Sequence, residues 1–156
     1  MSFGSEMSGG IENVTVKDIF FDDANHGTYL KYSDTRGGYL KNIHFENVVL
    51  GTIKQVAISI TSAYGSPNPS CPDPPKQNVS TEVSNITFVN ISQHPSTKSR
   101  YLLELHGLKH SEITGVSLND IHLNYNKAIF DCEYASGVFH DAPGAEQCDL
   151  LKPIKI

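Results

Sequence analysis

Adjacent Asp22 and Asp23, with His26 three residues on and Lys31 five beyond that, are the residue types of proton transfer on a charged substrate. Carboxyls give and take protons, an imidazole holds one, and a cation seats an anion. The spacing works against that chemistry. Neighbouring residues on a strand point to opposite faces, and the run Asp22-Asp-Ala-Asn25 has the composition of a turn between strands, which needs no catalytic explanation. No catalytic residue is assigned here. His106 and His110 stand four apart, but Gly107 and a strand-like context remove the helical face that would bring them together as metal ligands. The cysteines contain no C-x-x-C pair, and no Gly-rich phosphate loop precedes a helix. No metal and no other cofactor is therefore expected. Cys132 and Cys148 bracket a tail containing Gly, Ala and Pro. A disulfide between them, closing a loop of about 15 residues, would pin that tail, with two free buried thiols as the alternative. Cys71 is left single.

The elements that must carry these residues are marked by an internal repeat. Asn13-Val-Thr-Val-Lys-Asp-Ile19 returns as Asn42-Ile-His-Phe-Glu-Asn-Val48, Asn85-Ile-Thr-Phe-Val-Asn-Ile91 and Gly115-Val-Ser-Leu-Asn-Asp-Ile121, with starts 29, 43 and 30 residues apart. Apolar residues alternate within each copy, the two-residue period of a strand. A second β-prone stretch follows each start: Tyr29-Leu-Lys-Tyr32, Ala57-Ile-Ser-Ile60, Leu102-Leu-Glu-Leu105 and Ala128-Ile-Phe-Asp131. A unit of about 30 residues with two short strands cannot close its own core, so successive units must stack. The prediction is an all-β chain forming a parallel β-helix of about four coils. Asn at the start of three copies fits a corner and a side-chain ladder between coils. Leucine-rich and helical repeats are excluded, because neither Leu-x-x-Leu-x-Leu nor a 3.6-residue period recurs. The longest interval contains Pro67-Asn-Pro-Ser-Cys-Pro-Asp-Pro-Pro75, which cannot ladder; residues 66–79 read as a surface insertion between coils two and three.

Length and composition bound the rest. A chain of 156 residues, 38% hydrophobic and 19% charged, is read as one domain, 1–156, with a real core. Net charge is −5 and basic residues are scattered, so neither nucleic acid nor an anionic membrane is an expected partner. No apolar run approaches 18 residues, and the first ten residues have no basic-then-apolar pattern, so no secretion signal is read in this chain. Four sites match the N-glycosylation pattern, at Asn13, Asn78, Asn85 and Asn90. Three fall in the strand repeats. Asn78, at the edge of the Pro-rich loop, is the expected acceptor.

Gly4-Ser-Glu-Met-Ser-Gly-Gly10, followed by the first repeat and by Tyr29-Leu-Lys-Tyr-Ser-Asp-Thr-Arg-Gly-Gly-Tyr-Leu-Lys-Asn-Ile43, resembles the second half of a polygalacturonase-type glycoside hydrolase, family 28. Phe130-Asp-Cys-Glu-Tyr-Ala-Ser-Gly-Val138 and Glu146-Gln-Cys-Asp-Leu150 resemble the tail of its plant-type members, giving 132–156 the role of a capping tail. The resemblance implies a right-handed parallel β-helix of the pectin-lyase-like kind, of which 1–156 is the C-terminal part. It implies hydrolysis of α-1,4-galacturonosyl bonds with inversion, by an acid and a base about 6.5–9.5 Å apart. The family's Asn-Thr-Asp, Asp-Asp and Gly-His-Gly motifs precede the Gly-Ser-Glu segment and have no counterpart here; Asp22-Asp23 lies a coil beyond the family position. This chain alone is therefore expected to be inactive. Lys31 matches the lysine of the family's Arg-Ile-Lys motif, where a cation pairs with the sugar carboxylate. Tyr29 replaces the arginine and offers no charged fork. Tyr64 matches a tyrosine on the binding cleft, and Arg36 is read as shaping a turn. A pectic polysaccharide or oligogalacturonide is the implied partner, and the cell wall or secreted space the implied location. The alternatives are a non-catalytic oligogalacturonide-binding pseudoenzyme, or a structural fragment that self-associates through an open N-terminal coil.

Overall fold

The computed structural model describes residues 1–5, 9–33, 37–63 and 80–154. Among them are ten strands: β1 Ser2–Phe3, β2 Gly10–Ala24, β3 Thr28–Lys31, β4 Tyr39–Thr61, β5 Glu82–Gln93, β6 Ser99–His106, β7 Ile113–His122, β8 Tyr125–Glu133, β9 Ala135–His140 and β10 Leu151–Pro153. Every ladder between named strands is parallel. One stack runs β2, the first part of β4, β5, β7, β9, β10. The other runs β1, β3, the last part of β4, β6, β8. The chain is a parallel β-helix, and the repeat sets its register: Val14 pairs with Ile43, Ile43 with Ile86 and Ile86 with Val116.

Inside the coils the alternating apolar positions become columns. Ile43, Phe45 and Val48 in β4 and Ile86, Phe88 and Ile91 in β5 are wholly buried, and Val116, Leu118 and Ile121 in β7 nearly so. The Phe45 and Phe88 rings stack at 5.1 Å with 5° between their planes, and Phe3 leans on Phe45 at 6.1 Å. Each coil buries what its neighbour leaves uncovered. At the end of the stack, β2 has β4 as its only partner among the described strands, and Ile11, Val14, Ile19 and Phe21 are only part-buried there.

Corners are made by residues at positive φ. Asn13, Asn42 and Asn85 occupy one column at 56°, 53° and 56°. Asn42 donates to the Asn13 amide oxygen and Asn85 to that of Asn42, both at 3.2 Å. That ladder stops at Gly115, which takes the same corner at φ 67° and where a Cβ would meet the Asn85 amide oxygen at 2.7 Å. A second corner column stands five residues on, at Asp18, Asn47, Asn90, Asp120 and Asp141, all between 43° and 57°. The sequence reading passed over it. Asn47 donates to Asp18 at 2.9 Å and Asn90 to Asn47 at 2.8 Å. A carboxylate only accepts, so Asp120 cannot extend the amide chain; His122 instead bridges Asp120 at 2.8 Å and Asp141 at 3.3 Å. Three of the glycosylation-pattern asparagines, Asn13, Asn85 and Asn90, are thus corner residues engaged in ladders.

Two features differ from the sequence reading. Asp22 and Asp23 lie within β2 and not in a turn, because the corner at Asp18 bends the chain without ending its ladder; Asp23 still pairs with Thr52. The turn comes at residues 25–27. A fifth rung, β9, follows the four marked by the repeat. Residues 136–141, Ser-Gly-Val-Phe-His-Asp, lack the leading Asn, so only their shared corner at Asp141 betrays the relationship. The Pro-rich segment 66–79 with Cys71 and Asn78, and the residues Arg36 and Tyr64, lie outside the described residues.

Cys132 and Cys148 are bonded, with Cα atoms 5.8 Å apart and 16 residues of separation. The bond ties β8 to the end of the 3-10 turn Ala145–Gln147, which precedes β10. Closing a loop of that length removes unfolded-state entropy equivalent to about 2–3 kcal/mol. Reduction should lower the urea midpoint accordingly, measured on oxidised and thiol-treated chain under otherwise identical conditions; an unchanged midpoint would deny the tail its stabilising role.

Candidate functional site

Outward positions of the second stack form one row across four coils. Register runs Tyr29, Ser59, Glu104, Asp131 along one line and Lys31, Thr61, His106, Glu133 along the next. Inward neighbours Leu30, Ile58, Ile60, Leu103 and Leu105 are wholly buried, and strand alternation sends the intervening residues the other way. The sheet therefore carries a file of polar side chains, two per rung, covered at Ser59, Thr61 and Glu104 and accessible at Tyr29, Lys31, His106, Asp131 and Glu133.

At its first rung, the His26 ring stacks on Tyr29 with centroids 4.0 Å apart and 6° between planes. The Lys31 ammonium lies 5.6 Å from the Tyr29 centroid, within reach of its π face. Tyr29 and Lys31, singled out from the sequence, are thus side by side, with His26 brought against them. Asp22 and Asp23 are exposed on β2, with Asp23 3.3 Å from Lys54. Burial, then the nearby N-terminal ammonium and Lys31, hold the His26 pKa below its ordinary value of 6.5. Below about pH 6.5 the unfolded chain takes up a proton that the folded one refuses, so folding stability falls on acidification until the lowered value is passed. His26→Gln should remove this part of the pH dependence, measured as urea midpoints between pH 7 and 5 for both chains.

At the second rung Ser59 and Thr61 are fully buried, and the Ser59 hydroxyl donates to Glu104 at 2.5 Å. Glu104 is itself buried, 6% exposed, so this bond holds its carboxylate in place. Tyr32, on the next inward position after Lys31, donates to the Ser111 carbonyl at 3.1 Å, spanning 79 residues of sequence. Burial raises its phenol far above the usual range.

The third and fourth rungs are acidic. His106 Nδ1 meets an Asp131 carboxylate oxygen at 2.5 Å, and Glu133, exposed, stands in register with His106. A bulge extrudes Phe130, since Leu103 pairs with Ile129 but Glu104 with Asp131. Phe130 is 51% exposed and packs on Tyr101 at 4.9 Å. Depressions of ≈ 490 Å³ beside Asp131 and ≈ 440 Å³ beside Glu133 flank this end. Donor atoms of His106, Asp131 and Glu133 lie within 4.8 Å of one another, as do those of Asp120, His122 and Asp141. Both groups hold a histidine already paired with a carboxylate, and neither receives a metal assignment. The sequence reading missed Glu104, Asp131 and Glu133. Aligning the second β-prone stretches places Glu104 opposite Ser59, but the bulge at Phe130 takes Asp131 and Glu133 out of strict alternation, so spacing alone does not find them.

Glu104 and Asp131 are in-register neighbours one rung apart, about 4.8 Å of rise. Both also rise from one floor. Polar side chains that a charged or polyhydroxylated ligand could reach thus stand at the two ends of the row, Tyr29 and Lys31 at one and His106, Asp131 and Glu133 at the other.

A family model described as glycosyl hydrolases family 28 matches residues 1–144. A probable polygalacturonase of Vitis vinifera is 30% identical over 122 residues, which cover 78% of this chain and 23% of that protein. The chain thus spans less than a quarter of the length of the curated relative it matches. No solved structure matches it.

Proposed function

The chain belongs to the glycosyl hydrolases of family 28, and from that premise we propose that it is the sugar-seating part of a pectin-acting polygalacturonase. Its outward row binds a galacturonan chain along the helix axis. In the complete enzyme the bond cleaved is α-1,4-galacturonosyl, with inversion. Lys31 pairs with a sugar carboxylate, and Tyr29 offers a ring face next to it. The observation that carries this reading is the position of Lys31 at one end of an outward file that crosses four coils in register. Tyr64 as a second sugar-facing side chain and Asn78 as a glycan acceptor belong to the same proposal. So does a place outside the cell, which the Cys132–Cys148 bond favours. The edge of β2 that no described strand pairs is the surface through which copies of the chain would associate.

On this reading the 156-residue chain binds but does not hydrolyse. Calorimetric titration with an oligogalacturonide should show saturable binding that Lys31→Ala weakens about tenfold, the loss of one charge-assisted contact. A reducing-sugar assay on polygalacturonate should show no release above buffer. Unaltered affinity in Lys31→Ala would remove the binding role. Steady turnover abolished by Glu104→Gln or Asp131→Asn would move catalysis onto this chain.

A further inference from the structure

Lys31 is cationic, the next rung carries Ser59 and Thr61, both covered and uncharged, and the two rungs after that carry the buried Glu104 and the accessible Asp131 and Glu133 beside the imidazole of His106. Counting Glu112, Asp149 and Lys127, which line the two depressions there, that end holds five carboxylates against one lysine and one histidine and is negative in either protonation state of His106. Rungs are about 4.8 Å apart, so His106 stands about 10 Å and Glu133 about 14 Å along the axis from the Lys31 rung. Charges so separated are screened from one another by physiological salt, whose Debye length is about 8 Å. A bound chain therefore meets attraction and repulsion at different sugars. From this polarity we propose that the row selects a pectic chain whose unit at Lys31 bears a free carboxylate and whose units over the third and fourth coils bear none. This rests on the galacturonan-binding reading above and narrows it.

A free uronate over Asp131 or Glu133 places like charges together, at a cost of about fivefold in affinity for each close pair. An uncharged unit meets no such cost, and its hydroxyls can donate to the same carboxylates in charge-assisted hydrogen bonds. The missing charge has two sources, a methyl-esterified uronate or a neutral sugar alternating with galacturonate. The exposed Phe130 ring and the two depressions beside Asp131 and Glu133 provide apolar and concave surface at this end.

The experiment is calorimetric titration of the 156-residue chain, with chelator present, using three oligomers of equal length: de-esterified, partly methyl-esterified, and alternating acidic with neutral sugar. Either or both of the last two should bind at least about fivefold tighter than the first, and the tighter of them identifies the source. In the double variant Asp131→Asn/Glu133→Gln the de-esterified oligomer should gain affinity and close the gap. Equal binding of all three, tightest binding of the de-esterified one, or a preference untouched by the double variant would overturn the selectivity while leaving galacturonan binding intact. Tight binding of the de-esterified oligomer only after calcium replaces chelator would overturn it too, making the acidic row a cation bridge. No saturable binding of any oligomer would remove this inference together with the reading it rests on.

Discussion

Phe88→Ala should destabilise the chain by about 3–5 kcal/mol, the range for deleting a buried aromatic side chain and leaving a cavity. Phe88 is wholly buried, stacked on Phe45 in the coil below and in register with Leu118 in the coil above. The ring therefore belongs to two interfaces. In a solenoid, stability is the sum of weak single-coil terms and strong nearest-neighbour terms, so one cavity in the third coil weakens the coupling on both sides. A domain of this size holds on the order of 5–15 kcal/mol in total. The expected result is a large fall in urea midpoint together with a broadened or two-step transition, followed by tyrosine fluorescence and far-ultraviolet circular dichroism. Phe88→Leu fills most of the space and should recover well over half of the loss. A single sharp transition shifted by under 1 kcal/mol in Phe88→Ala would mean that the coils do not depend on one another through this column.

The same column explains why the fold was legible. Period-two alternation at Ile43 and Phe45 recurs at Ile86 and Phe88, and only stacking buries such units, so the repeat carried both strand identity and register. Corners were half legible. Asn13, Asn42 and Asn85 advertise themselves by heading the phrase, whereas Asp18, Asn47, Asn90 and Asp120 alternate between acid and amide inside it and look like solvated strand residues. What they share is tolerance of positive φ, a backbone property that two different side chains satisfy equally. Asp22 and Asp23 look like a turn for a related reason: sequence reveals that Asp bends the chain, but not that a parallel ladder continues around the bend.

The site was less legible than the fold. Lys31 and Tyr29 could be picked out because a family motif passes through them. Glu104 and His106 sit in no motif, and Asp131 and Glu133 flank Cys132 in the tail segment, where the cysteine and not the carboxylates carries the resemblance. Their proximity exists only once coils separated by 43 and 30 residues in the first stack are superposed, and in the fourth coil a bulge at Phe130 shifts the alternation by one residue. Reading β8 with strict period two from Ile129 would assign Asp131 to the inward face. A one-residue insertion reverses every later side chain, which is why acidic character at this end of the row emerges from coordinates and not from spacing.

Asn47→Val separates the corner from the ladder and should cost about 2–3 kcal/mol. Asn47 holds φ at 54°, a conformation that costs a residue with a Cβ roughly 1–2 kcal/mol and in which a β-branched side chain is an outlier. Valine also deletes two hydrogen bonds at once, the one given to Asp18 at 2.9 Å and the one accepted from Asn90 at 2.8 Å. Each is worth about 0.5–1.5 kcal/mol net, with the low end apt for an exposed pair. Asn47→Gly keeps the backbone free to turn and loses only the ladder, so it should cost about 1–2 kcal/mol, including the extra entropy of glycine in the unfolded chain. The difference between the two variants isolates the left-handed corner. If valine and glycine prove equally costly by urea denaturation, the hydrogen-bonded column, and not the backbone turn, is what Asn47 contributes. If neither moves the midpoint, the corner is held by the buried columns on either side of it, and Val48 and Phe45 become the residues that shape the coil.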